Sequence, residues 1–136
     1  MPATATAAFT QNLKSSQAVA TAAKSTYNDA ANAVLIYTAG ANGDVVYGVK
    51  AIPRATVATA IQAQLYRSPD AGTTMNFIDA AVIPAYSMSA TTAPTKTDFG
   101  YSESVPIRLG PNERLYGALA SALAGGVVFD AQGESA

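Results

Sequence analysis

From residue 34 onward the chain is written in short apolar runs of period two, each stopped by a turn signal, and this pattern narrows the possible folds more than any other feature. "VLIYT" (34–38) stops at Gly40-Ala-Asn-Gly-Asp44, and "VVYGVKAI" (45–52) follows. Gly and Asn adopt positive φ at low cost, so this segment predicts a hairpin between 34–38 and 45–52. "TAIQAQLYR" (59–67) alternates most cleanly, with Ile61, Ala63 and Leu65 on a core face and Gln62, Gln64 and Tyr66 opposite. "MNFIDAAVIPA" (75–85) reads as a strand that is apolar on both faces except at Asp79.

"VPIRL" (105–109) and "RLYGALAS" (114–121) flank Gly110-Pro-Asn-Glu113, a segment with turn chemistry at every position. It predicts a second hairpin, with Leu115, Gly117 and Leu119 on one packing face and Glu113 meeting Arg108 or Arg114 across the pair. "GGVVFDAQGES" (125–135) supplies a last strand. Residues 86–104 are poor in large apolar groups and contain Pro94, which predicts a long excursion with one irregular edge strand; such excursions often carry function.

Residues 1–33 read differently, since apart from Met1 the only large apolar side chains before Tyr27 are Phe9, Leu13 and Val19. Their Ser and Thr density disfavours a helix and predicts an extended N-terminal arm with a possible first strand, "AVATAAKST" (18–26). The fold class expected is therefore all-β: a two-sheet β-sandwich or jelly roll over 34–136, preceded by the arm over 1–33. A chain of 136 residues suits one such domain without disulfides.

Composition then limits function. Charged residues are 12% of the chain, about half of the roughly 25% usual in soluble domains, which hints at a surface covered by neighbours. The net charge is −1 with scattered Lys and Arg, so no basic stripe for nucleic acid is present in the sequence, and no run approaches the ~18 apolar residues of a membrane span. The N-terminus lacks the basic and apolar regions of a signal peptide.

With no cysteine and no histidine, the commonest nucleophile–base pairs are missing, and no catalytic residue is assigned. Asp29, Asp44, Asp70, Asp98, Glu113 and Glu134 sit in turn-like or terminal segments, where local backbone bonds explain them. Neither "NGD" nor "SPDAG" has the alternating acidic ligands of a calcium loop, so neither a metal nor another cofactor is assigned. Asp79 stands mid-strand, and either faces solvent or pairs with an arginine such as Arg67 or Arg108. The tyrosines serve either as a carbohydrate platform or as partly buried interface groups. Candidate interface residues are Phe9, Leu13, Val19, Tyr86, Phe99 and Tyr101.

The segments "YTAGANGD" (37–44), "TAIQAQLYR" (59–67) and "IRLGPNERLYGALAS" (107–121), in this order, resemble a group of small virion proteins of tailed bacteriophages, the head decoration or cement-like proteins. The likeness spans about residues 33–130. It implies a structural protein, not an enzyme, that binds the major capsid protein and further copies of itself, as a trimer, on the outer surface of a head assembled in the host cytoplasm. A tail, neck or fibre-base component, with contact to host glycans, is the alternative within the same resemblance. A small hydrolase is the reading from another class.

Overall fold

A computed structural model describes residues 12–135, and among these every helix or strand is a strand. The chain order is β1 (Asn12–Ala20), β2 (Val34–Thr38), β3 (Asp44–Pro53), β4 (Ile61–Ser68), β5 (Asn76–Ile83), β6 (Thr97–Asp98), β7 (Ile107–Leu109), β8 (Arg114–Leu119) and β9 (Val127–Ser135). They form two antiparallel sheets, so the expected two-sheet sandwich is the architecture of the protein. The first sheet runs β1-β9-β3-β6, with β7 sharing the β6 edge of β3; the second runs β2-β8-β4-β5.

Period-two burial builds the core between the sheets. Val46, Val49 and Ala51 of β3 and Phe129 and Ala131 of β9 face Ile36, Ala63, Leu65, Leu115 and Leu119, all buried. Leu115, Gly117 and Leu119 share the inner face of β8 through their partners Arg67, Leu65 and Ala63, as their alternation predicts. At Gly117 a Cβ would lie 2.7 Å from Ile36 Cδ1 and 2.9 Å from Phe129 Cδ2, so the missing side chain is what admits the Phe129 ring.

Both predicted hairpins are absent, and the turns do something else. Val34–Thr38 pairs with β8 in one sheet while Asp44–Pro53 pairs with β9 in the other. Likewise Ile107–Leu109 pairs with β3, whereas Arg114–Leu119 joins β2 and β4. Each turn is therefore a corner that carries the chain from one sheet to the facing one. The two corners lie against each other: the Asn112 N–H donates to the Gly40 carbonyl at 3.0 Å and the Ala39 N–H to the Glu113 carbonyl at 2.8 Å. Gly43 has φ 82° and a Cβ there would meet the Leu109 carbonyl oxygen at 2.7 Å, so backbone conformation and crowding both demand glycine. The true hairpin is β4–β5, closed by the 69–75 turn.

The arm expected over 1–33 is, within the described residues 12–33, part of the domain itself. The first strand is Asn12–Ala20 in place of 18–26, and it pairs with β9 from Asn12↔Ser135 to Ala20↔Val127. Residues 21–33 then cross the outer face of the second sheet. The Lys24 N–H donates to the Leu119 carbonyl at 2.7 Å, and beneath the crossing lies a second apolar cluster of Tyr66, Met75, Tyr116 and Ala118. Gln64 and Tyr66, predicted to face outward, do so with respect to their sheet, yet both are fully buried under this cover. The edge strand expected within 86–104 is the two-residue β6, paired with Lys50 and Ala51.

Candidate functional site

Two polar knots hold the covers of the sandwich. Asp44, at the start of β3, accepts from the Lys14 ammonium at 2.7 Å, the Tyr37 hydroxyl at 2.6 Å and the Gly40 N–H at 2.8 Å. Burial disfavours its charge, but these three donors outweigh that cost and hold its carboxyl below the usual range. Burial, reinforced by the hydrogen bond to Asp44, pushes the Tyr37 hydroxyl well above its usual pKa. In the second knot the buried Lys24 Nζ donates to Asp29 Oδ1 and the Asp29 carbonyl, both at 2.6 Å, and to the Ala31 carbonyl at 3.0 Å. It also lies 5.4 Å from the centre of the Tyr66 ring. Burial, with Tyr27 and Asp29 nearby, pushes the Tyr66 hydroxyl up to about 12. Lys24 and Asp44 are the buried members of these knots and each is paired, whereas their partners Asp29 and Lys14 reach the surface.

Asp79 is half-buried on the edge strand β5 and is bonded by a tyrosine, not by an arginine. Opposite Leu65 in the ladder, it points to the core side of β5, where Oδ2 accepts from the Tyr101 hydroxyl at 2.7 Å and Oδ1 from the Ala80 N–H at 2.8 Å. Arg67 instead donates to the Arg108 carbonyl at 3.1 Å and lies 3.8 Å from Glu113 Oε2. Glu113, at the end of the second corner, thus meets Arg67 of the neighbouring strand β4, in place of Arg108 or Arg114, while its Oε1 accepts from the Gly110 N–H. The cluster around Gly110 is a fastening between sheets.

A groove opens on the outer face of the first sheet. Its volume is about 330 Å³, and its lining comes from β3 (Tyr47, Gly48, Lys50), β6 (Asp98), the following loop (Tyr101, Ser102, Glu103) and β9 (Asp130, Gln132). Strand pairing explains this assembly. Gln17, Asp130, Lys50 and Asp98 are successive cross-strand partners, forming one polar row over four strands. Asp130 organises the row: Oδ1 accepts from the Gln17 amide at 2.7 Å, and both its oxygens accept from the Gln132 amide at 3.2 Å. A bulge between Val46 and Gly48 redirects β3 at Tyr47. Asp98 Oδ1 accepts from the Gly100 N–H at 2.9 Å, which shapes the loop wall.

Of the candidate interface residues, Phe9 lies outside the described residues. Leu13 and Val19 are exposed on the outer face of β1, at 79% and 37%. Tyr86 is half-buried and donates to the Ala93 carbonyl. Phe99 is half-buried with its ring 6.4 Å from that of Phe129, and Tyr101 is half-buried in the groove wall. Phe99 and Tyr101 are thus gathered beside β3, while Leu13, Val19 and Tyr86 stand elsewhere. Tyr101 is the one sequence candidate that belongs to the groove. Of the other lining residues, the sequence marks Tyr47 only among the tyrosines and Asp98 only as a turn carboxylate, and Lys50, Asp130 and Gln132 went unselected, although the outward alternation in "VFDAQ" was a usable signal for the last two.

Among the described residues no group of three or more acidic, histidine or cysteine side chains is placed to hold a metal ion. In comparisons with known proteins, no family model matches the chain and no curated protein matches it.

Proposed function

We propose that this chain is a virion structural protein of a tailed bacteriophage, a decoration or cement protein that binds the outer surface of the capsid. The observation that carries the reading is the surface. Leu13, Leu35, Val82 and Val105 are between 40% and 79% exposed in a chain with only 12% charged residues. Such a surface suits a protein whose outer faces are covered by neighbours once it is assembled. The winding is compatible: all connections except β4–β5 and β6–β7 pass from one sheet to the other. We read this as a jelly roll, an architecture shared by capsid and lectin domains, and the support is analogy of fold alone. The partners in this reading are the major capsid protein and further copies of the chain, arranged as a trimer.

The test is fractionation of purified particles from the phage that encodes the chain. A decoration protein stays with empty heads in a fixed ratio to the major capsid protein, and rebinds heads stripped of it. Recovery with detached tails would replace the head by the tail, neck or fibre base. Absence from particles would overturn the virion reading altogether.

A further inference from the structure

We propose that the groove on the outer face of the first sheet is a saccharide-binding site, selective for neutral or amino sugars over acidic ones. This stands on the groove itself and not on the capsid reading.

The floor supplies the first argument. Gly48 sits opposite Gln132, its φ is not in the left-handed region, and a Cβ there would meet nothing nearer than Gln132 Cβ at 3.8 Å, an ordinary contact. Neither backbone strain nor crowding requires glycine at this position, in contrast to Gly43 and Gly117. What the missing side chain leaves is the depth of the groove. The volume of about 330 Å³ falls at the low end of the roughly 300–1,000 Å³ of small-ligand sites, enough for a mono- or disaccharide.

The lining supplies the second. A sugar hydroxyl both donates and accepts, so it is matched by carboxylates, an ammonium and an amide set side by side, as in Asp98, Lys50, Asp130 and Gln132. Tyr47 adds aromatic surface for the apolar face of a pyranose, while Tyr101 lines the wall with its side chain turned towards the core and Asp79. Tyr101 is held in place by its bond to Asp79, and Gln132 by Asp130, so the walls are preorganised. Burial and Asp79 together keep the Tyr101 hydroxyl protonated far above neutrality. Three carboxylates, Asp98, Glu103 and Asp130, against the single ammonium of Lys50 make the groove repel anions.

The experiment is a titration of the ¹⁵N-labelled full chain, followed by amide chemical shifts, with N-acetylglucosamine, glucosamine and lactose, and with 3′-sialyllactose as the acidic control. Shifts should concentrate at residues 47–50, 98–103 and 130–132, with a dissociation constant of about 1 mM, as for a small open site. Sialyllactose should bind about tenfold more weakly than lactose. Gly48→Val, which fills the floor, and Tyr47→Ala, which removes a wall, should each abolish the shifts while the spectrum stays dispersed; if Gly48→Val does not fold, Tyr47→Ala decides. No response to any of the neutral or amino sugars, an equal or stronger response to sialyllactose, or unchanged binding in a folded groove variant would overturn the assignment.

Discussion

Asp44 shows how much one side chain can carry in a sandwich with few charges. It ties β1 through Lys14, β2 through Tyr37 and the first corner through Gly40, at the place where three segments of chain converge. Its folded pKa is depressed below the ordinary 3.8, so between those two values the native state binds fewer protons than the unfolded one, and the linked stability falls as pH falls. That contribution is fully present above pH 3.8 and is withdrawn below it; Asp29 and Asp70, held down chiefly by hydrogen bonds from Lys24 and Thr74, act in the same direction. We predict that the urea midpoint is steady from neutrality to about pH 5 and drops towards about pH 3, and that Asp44→Asn lowers it at neutral pH while flattening the acid slope. An acid slope unchanged by Asp44→Asn would remove Asp44 from this role. The sequence marked Asp44 only as a turn residue. Its partner Lys14 lies on a strand that reaches it only after pairing with β9, so no local pattern announces the knot.

At the scale of elements, the corners and the β5 edge are the instructive cases. A polar turn between two apolar runs serves a hairpin and a sheet-to-sheet corner equally well, because both need the same φ permissions. Which one forms depends on whether the flanking strands find better partners elsewhere. Here β3 finds β9 and β8 finds β4. The Gly110 corner therefore orients β8 and does not set a hairpin register. Replacing Leu115, fully buried between the sheets, with Asp should unfold the domain, since an unpaired core charge costs several kcal/mol against a total of about 5–15. Glu113→Ala removes one acceptor from the Gly110 N–H and should cost about 0.5–1.5 kcal/mol, leaving the fold intact by circular dichroism. A folded Leu115→Asp protein, or a Glu113→Ala protein that fails to fold, would contradict this account of the corner. β5 explains Asp79 in the same terms. An edge strand with Phe77, Ile78 and Val82 exposed invites pairing with another chain, and an inward carboxylate together with the bulge at the Leu65/Tyr66 step makes the edge a poor template.

At the scale of the whole molecule, the described part of the N-terminal region, residues 12–33, belongs to the sandwich and is not a separate arm. Were residues 1–33 an independent arm, deleting 2–24 would leave the sandwich folded. The structure predicts the opposite: the deletion removes all of β1, bares the edge of β9 and takes away Lys24, which knots the cover over Tyr66 and Gln64. We expect loss of the cooperative urea transition, or a midpoint lowered by more than half; an unchanged midpoint would restore the arm. What the sequence by itself determined was the strand character of nearly every segment after residue 34, the inward faces of β4 and β8, and the turn residues, because these follow from period-two alternation and from local φ preferences. Only the tertiary structure decided the rest. It placed β1 on β9, made corners of the apparent hairpins, covered Tyr66, and brought Asp98, Lys50 and Asp130 into one row beside Tyr47. The physical reason is that alternation states which side chains face inward but not which strand lies alongside. In an antiparallel sandwich that choice is made by long-range pairing and by how two inner faces interlock, here around the space left by Gly117 for Phe129.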